Sequence, residues 1–168
     1  MELWDIYDSQ GNKTGRLKER GASFNKGEYH LGVALWVINP EGKALLQKRS
    51  LSKEYGPGKW GIHGGAACAG EGSLEACLRE VSEEIGLYTQ PEALKLLYRH
   101  FNEDCIFDDY ITINDFNITD AKLQPEEVVE LKWFTLEEIK ILYNNGMFMF
   151  DEIRKLDKVA DYIKEAIK

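Results

Sequence analysis

Three carboxylates crowd one short stretch of this chain. In GGAACAGEGSLEACLREVSEEIGL, running from Gly64 to Leu87, Glu80, Glu83 and Glu84 fall within two turns of a helical pattern. At 100° per residue, the spacing i, i+3, i+4 gathers them on one arc about 100° wide, beside the apolar stripe Leu74, Cys77, Leu78, Val81 and Ile85. Like charges so spaced repel by a few tenths of a kcal/mol per pair in water, and by more where solvent is partly excluded. Arg79 offsets part of this by reaching Glu83 at i+4. A divalent cation offsets far more. Mg²⁺ suits the donors, being a hard ion that binds through one or two carboxylates, keeps several waters and takes substrate phosphates as further ligands. Gly64 and Gly65 offer backbone for close approach, including a carbonyl as a further oxygen donor.

These residues need a helix and something rigid before it. Ser73 is a plausible N-cap, and Gly86 stands where a C-terminal cap glycine belongs. Upstream, Leu3 to Asp8 reads as a strand followed by a turn at Gln10-Gly11-Asn12, an N-terminal strand or hairpin extension over about residues 1–17. Leu31 to Asn39 reads as a buried strand that turns at Pro40 to Lys43 into a second strand, Ala44 to Lys48. A polar loop from Arg49 to Lys59 leads to a short strand, Trp60 to His63. Downstream, Leu94 to Phe101, Ile106 to Ile113 and Val128 to Phe134 read as strands. Thr135-Leu136-Glu137-Glu138 is a capping-box signature for a short helix ending at Asn144-Asn145-Gly146. A last helix starts near Asp151, with Ile153, Leu156, Val159 and Ile163 as its buried stripe. The pattern predicts one α/β domain over residues 1–168, an α/β/α sandwich around a mixed sheet.

Composition narrows the function classes. The net charge of −8 argues against a nucleic-acid backbone as partner. It leaves room for a small anionic substrate, since a bound divalent metal reverses the local sign. No apolar run approaches the roughly 20 residues that span a bilayer, and MELWDIYDSQ has no signal-peptide pattern. The three cysteines, Cys68, Cys77 and Cys105, suit a reducing compartment, so the expected location is the cytoplasm, away from membranes. Cys68 and Cys77 do not form a zinc-spaced set with His63. Asn117-Ile118-Thr119 is read as an accidental sequon.

The spacing from Gly65, G-x5-E-x7-R-E-V-x-E-E-x-G-L, resembles the signature of the Nudix hydrolase family (the MutT-like enzymes) at every fixed position: Gly65, Glu71, Arg79, Glu80, Val81, Glu83, Glu84, Gly86 and Leu87. The Gly-x-Trp at Gly58 to Trp60 and the run from Glu126 to Trp133 also resemble this family. The resemblance implies the Nudix fold and a Mg²⁺- or Mn²⁺-dependent hydrolase that cuts the pyrophosphate of a nucleoside diphosphate derivative or triphosphate by attack of water on phosphorus. Carried over by position, Glu80, Glu83 and Glu84 are metal ligands or the base that deprotonates water, with Glu84 first for ligation and Glu80 a candidate base. Arg79 orients the glutamates, Glu71 supports the loop or a second metal, and Gly64 offers its carbonyl. A distal carboxylate completes such sites; Glu127 is the candidate and Glu126 its rival. Arg49 and Lys53 are candidates to hold substrate phosphates. Homodimers are common in the family.

The N-terminal pattern Glu2, Asp5, Asp8, Gly11 and the Arg49/Lys53 pair are similar to the branch that includes isopentenyl diphosphate isomerase. That reaction needs a cysteine acid/base in a C-G-H-P run. Here the matching run is Gly64-Gly65-Ala66-Ala67, so the isomerase is the alternative rather than the first reading. A non-catalytic nucleotide sensor is a second alternative, weakened because all the box glutamates are present.

Overall fold

The computed structural model describes residues 1–149 and 154–167. Asp151 and Ile153, expected to open the last helix, lie outside them. Among the described residues nine strands and three α-helices occur in chain order: β1 (Leu3–Tyr7), β2 (Lys13–Glu19), β3 (His30–Ile38), β4 (Ala44–Arg49), β5 (Trp60–Gly61), β6 (His63–Ala66), α1 (Ser73–Ile85), β7 (Lys95–Phe101), β8 (Cys105–Ile113), β9 (Val128–Phe134), α2 (Leu136–Asn144) and α3 (Arg154–Ala166). No helix among the described residues is long and apolar enough to cross a membrane.

Strands β3 to β9 form one mixed sheet, in which β3 and β8 run parallel over their full length and every other pair is antiparallel. The nearly unbroken apolar run of β3 is what a strand buried on both faces requires. Its side chains alternate. Leu31, Val33, Leu35 and Val37 join a core under α1 with Cys77, Val81 and Ile85. Ala34, Trp36 and Ile38 join a second core with Ile139 of α2 and with Leu156 and Val159 of α3. These two cores make the α/β/α sandwich. Each buried aliphatic side chain contributes about 1.5–3 kcal/mol of transfer free energy.

The expected β3–β4 hairpin exists only at its base, where Ile38 faces Ala44. Beyond that pair the strands part, and the segment expected as one strand, Trp60 to His63, enters the gap as two. β5 pairs with β4 through Gly61 and Trp60, while β6 pairs with β3 through His63 to Ala66. The chain changes partner at Ile62, because one strand cannot follow both diverging neighbours. β1 and β2 form a separate hairpin reaching Glu19, longer than the expected extension. Glu28 anchors it, accepting from Arg16 Nη1 and Lys18 Nζ, both at 2.6 Å.

Candidate functional site

Helix α1 carries the carboxylates, and both its ends are fastened. Ser73, expected as N-cap, is the first helical residue instead, and Gly72 is the cap. The Ser73 hydroxyl is drawn away to Asp108 and Tyr110 of β8. Asp108 is also held by the Arg99 fork at 2.6 and 2.7 Å, which pins the helix start to the sheet. At the other end Gly86 takes the left-handed conformation, φ 74°, and returns its N–H to Ser82.

The carboxylates occupy two environments. Arg79 sits among three of them. Its Nε and Nη2 hold the two oxygens of Glu71 at 2.7 and 3.0 Å, and its Nη1 reaches Glu80 at 2.9 Å and Glu83 at 3.1 Å. Its Nη2 also donates to the Ala66 carbonyl, tying α1 to β6. Glu71 accepts the Cys68 N–H as well, and the Arg79 guanidinium holds its carboxyl below the usual range. Glu80 is shifted the other way: burial outweighs the nearby arginine and raises it.

Glu84 is different in kind. It is 5 % exposed, and its two oxygens accept from neutral donors, Gln47 Nε2 at 3.3 Å and the Gly64 N–H at 3.1 Å. Burial, helped by the Glu80 and Glu127 carboxylates, pushes it up to about 8. Behind Gln47 lies His63, fully buried, with Nδ1 at 3.0 Å from Gln47 Oε1 and Nε2 at 3.0 Å from the Leu45 carbonyl. Burial lowers His63 to about 4, so the ring is neutral and one of its nitrogens carries the proton.

A side chain at either of the two glycines preceding the helix would meet a neighbour, backbone at Gly64 and a side-chain end at Gly65. A Cβ at Gly64, whose φ is 154°, would lie 2.1 Å from the Val33 carbonyl oxygen of the adjoining strand. A Cβ at Gly65 would lie 2.5 Å from the Glu80 carboxyl carbon. The first glycine lets β6 lie against β3, and the second lets Glu80 lie over β6.

The distal loop docks on this arrangement. Gln124 N–H donates to the Glu84 carbonyl, and Ser50 N–H to that of Glu127. The Glu127 side chain is gripped by Lys53 at 2.6 and 2.7 Å, so these two candidates are partners of each other. Glu126 meets Ser52 through its backbone carbonyl at 3.5 Å. Among the described residues no three His, Cys, Asp or Glu side chains stand in a ligating array; on α1, Arg79 fills the space between Glu71, Glu80 and Glu83. The donor set still fits a hard cation. It offers carboxylate oxygens beside a glycine backbone, and the most buried of them is bound only by neutral donors.

A cleft of about 580 Å³ opens beside Gly64 and Gly65 on the sheet face opposite α1. Arg49 lines it, with its Nε on the Tyr55 carbonyl, whereas Lys53 does not. The cleft also takes in Gln47, His100 and Lys155, which sequence spacing did not single out. Gln47 carried a signal, as a polar side chain in the otherwise apolar start of β4.

Comparison with known proteins agrees with this architecture. The family model described as NUDIX domain matches residues 28–152. A Listeria monocytogenes protein named as an uncharacterised Nudix hydrolase is 36 % identical over 152 residues, covering 89 % of each chain. An isopentenyl-diphosphate Delta-isomerase of Citrobacter koseri is 26 % identical over 172 residues, covering 97 % of this chain and 93 % of its own. A crystal structure of a Deinococcus radiodurans protein superposes with a TM-score of 0.77 at 19 % identity, over 94 % of this chain and 99 % of that one, and so shares the fold. The glycine-led carboxylate helix, the split sheet beneath it and these matches place the chain in the Nudix hydrolase family, whose members generally hydrolyse pyrophosphate linkages.

Proposed function

We propose that this protein hydrolyses the pyrophosphate linkage of a nucleoside diphosphate derivative or nucleoside triphosphate, with Mg²⁺ or Mn²⁺ as cofactor. The observation that carries the reading is the meeting of α1 with the cleft at Gly64–Gly65. There Glu84 accepts from the Gly64 N–H and the half-buried Glu80 lies over Gly65, and these two glycines line a space able to hold a phosphoryl group.

Glu83, Glu84 and the Gly64 carbonyl would hold the cation, with Glu127 as the distal carboxylate. When bound, the cation polarises a phosphoryl oxygen and lowers the pKa of water. The chain's own residues do the rest. Water adds to phosphorus, the bond to the bridging oxygen breaks, and the proton lost by water passes to a carboxylate of α1, for which Glu80 is the candidate base. Arg79 holds Glu71, Glu80 and Glu83 in one geometry, so little reorganisation is left for the reaction. Arg49 offers a planar fork to the phosphates at the mouth of the cleft.

The isomerase reading is disfavoured by Gly64, where that chemistry needs a cysteine thiol. Cys68, four residues on, donates its backbone N–H to Glu71 in the loop before α1. The test is a panel of nucleoside triphosphates, nucleotide sugars, ADP-ribose and dinucleotides, each incubated with Mg²⁺ or Mn²⁺ and with EDTA. Metal-dependent cleavage of one compound, lost in Glu84→Gln, is the expected result. Turnover of isopentenyl diphosphate alone would reverse the choice.

A further inference from the structure

The cleft's charge opposes that of the chain. Among the described residues lining it there is no Asp or Glu, whereas Arg20, Arg49 and Lys155 line it, Arg20 being paired with Glu2 at 3.0 Å. Its floor is kept low by small residues on two neighbouring strands, Gly32 and Ala34 of β3 and Gly64 and Ala66 of β6. At Gly32 a Cβ would come within 2.7 Å of the Phe107 ring.

Lys155 is the most enclosed of the cations. It comes from the first turn of α3, is 6 % exposed, and still lines the cleft. Its Nζ stands 3.3 Å from His100 Nε2 and 3.8 Å from Asp109, which is itself fully buried in β8. His100 lies 3.7 Å from the same carboxylate and stacks on Phe107. Asp109 faces Ala34 across β3, and Ala34 faces Gly64 across β6. The backbones of Asp109 and Gly64 are therefore two strand spacings apart, about 10 Å. That spacing leaves room for a second anionic group beside the pyrophosphate.

We propose that the cleft selects a substrate with two separate anionic parts: the pyrophosphate toward Gly64 and Arg49, and a second phosphate or carboxylate seated on Lys155, which Asp109 and His100 position. This rests on the pyrophosphohydrolase reading for the first part and adds the substrate class. Lys155 is a specificity residue, distant from the carboxylates of α1.

The test is calorimetric binding in EDTA, where no turnover occurs, of two matched pairs. NADH and NADPH differ by one phosphate on the nucleoside side, and UDP-glucose and UDP-glucuronate by one carboxylate on the sugar side. The wild type should bind the charged member of one pair roughly 10- to 100-fold more tightly, as expected for one charge-assisted contact. The favoured pair identifies the source of the second anion. Lys155→Met should erase that preference and Lys155→Arg should keep it. The double variant Lys155→Met/Asp109→Asn removes the orphaned carboxylate in case the single variant misfolds, and should also show no preference. Equal binding within both pairs, or a preference that survives Lys155→Met, overturns the proposal. A preference that holds without cleavage of either favoured compound in Mg²⁺ would count against the hydrolase reading and leave the cleft assignment standing.

Discussion

The two faces of the sheet treat charge in opposite ways. Under α1, acids gather around one arginine: Glu71, Glu80 and Glu83 share Arg79. On the cleft face, cationic and titratable groups gather around one acid: Lys155 and His100 share Asp109. Neighbouring residues of β8 make the contrast sharpest. Asp108 points to the α1 side and is saturated by Arg99 and Ser73, while Asp109 points to the cleft side beneath Lys155. The first face suits a cation brought from solution, the second an anion. A pyrophosphate substrate bound with a divalent metal needs both, and Gly64 and Gly65 lie where the two meet.

The contrast can be broken from the acidic side first. Glu84→Gln and, separately, Glu83→Gln should each lower kcat by orders of magnitude, on the order of 10³-fold, while the circular dichroism spectrum stays native. Activity surviving both changes would remove α1 from the chemistry. Gly64→Ala should act on the fold instead. Its Cβ meets backbone, which cannot swing aside, so a loss of roughly 2–4 kcal/mol is expected in denaturant titration. Gly65→Ala should separate the two effects. The atom its Cβ meets is the end of the Glu80 side chain, so stability should change by less than about 1 kcal/mol while kcat falls roughly 10- to 100-fold. A Gly65→Ala enzyme with native kcat would show that Glu80 need not lie over β6.

The smallest expected effect concerns the hairpin, whose Trp4 lines the cleft together with Arg20 just beyond it. Lys18, the Asn25 N–H and Arg16 lower Glu28 from 4.5 to about 2. A depressed carboxylate stabilises the fold above its unfolded value, and that contribution is lost as pH falls through the folded one. Glu28→Gln should therefore melt below wild type above pH 4.5, and the gap should close as pH falls toward 2. A gap that does not change over this range would show that the ion pairs do not set the hairpin's stability.

How much of this was legible in the sequence follows from distance along the chain. Glu80, Glu83, Glu84 and Arg79 lie within a few residues of one another, so helical period alone brought them together. The capping box at Thr135 was readable for the same reason, and it forms as expected. Ser73 was misassigned as a cap because its competing partners, Asp108 and Tyr110, are some 35 residues away. Trp60 to His63 looked like one strand because its composition is uniform; only the divergence of β3 and β4 divides it. The cleft face was the least legible, since Arg49, His100, Asp109 and Lys155 come from four elements. One sign was present. Lys155 stands four residues before Val159 and next to Leu156, hence over the buried stripe of α3, and paired acids interrupt the apolar run of β8.

The most direct test of the central claim is the fate of solvent oxygen. The compound cleaved best in the substrate panel would be turned over in ¹⁸O-labelled water with Mg²⁺, and the products read by mass spectrometry. One ¹⁸O is expected in a phosphoryl group of one product per cleavage, abolished by EDTA and by Glu84→Gln. Label found outside phosphorus, or cleavage that persists without divalent metal, would contradict that claim.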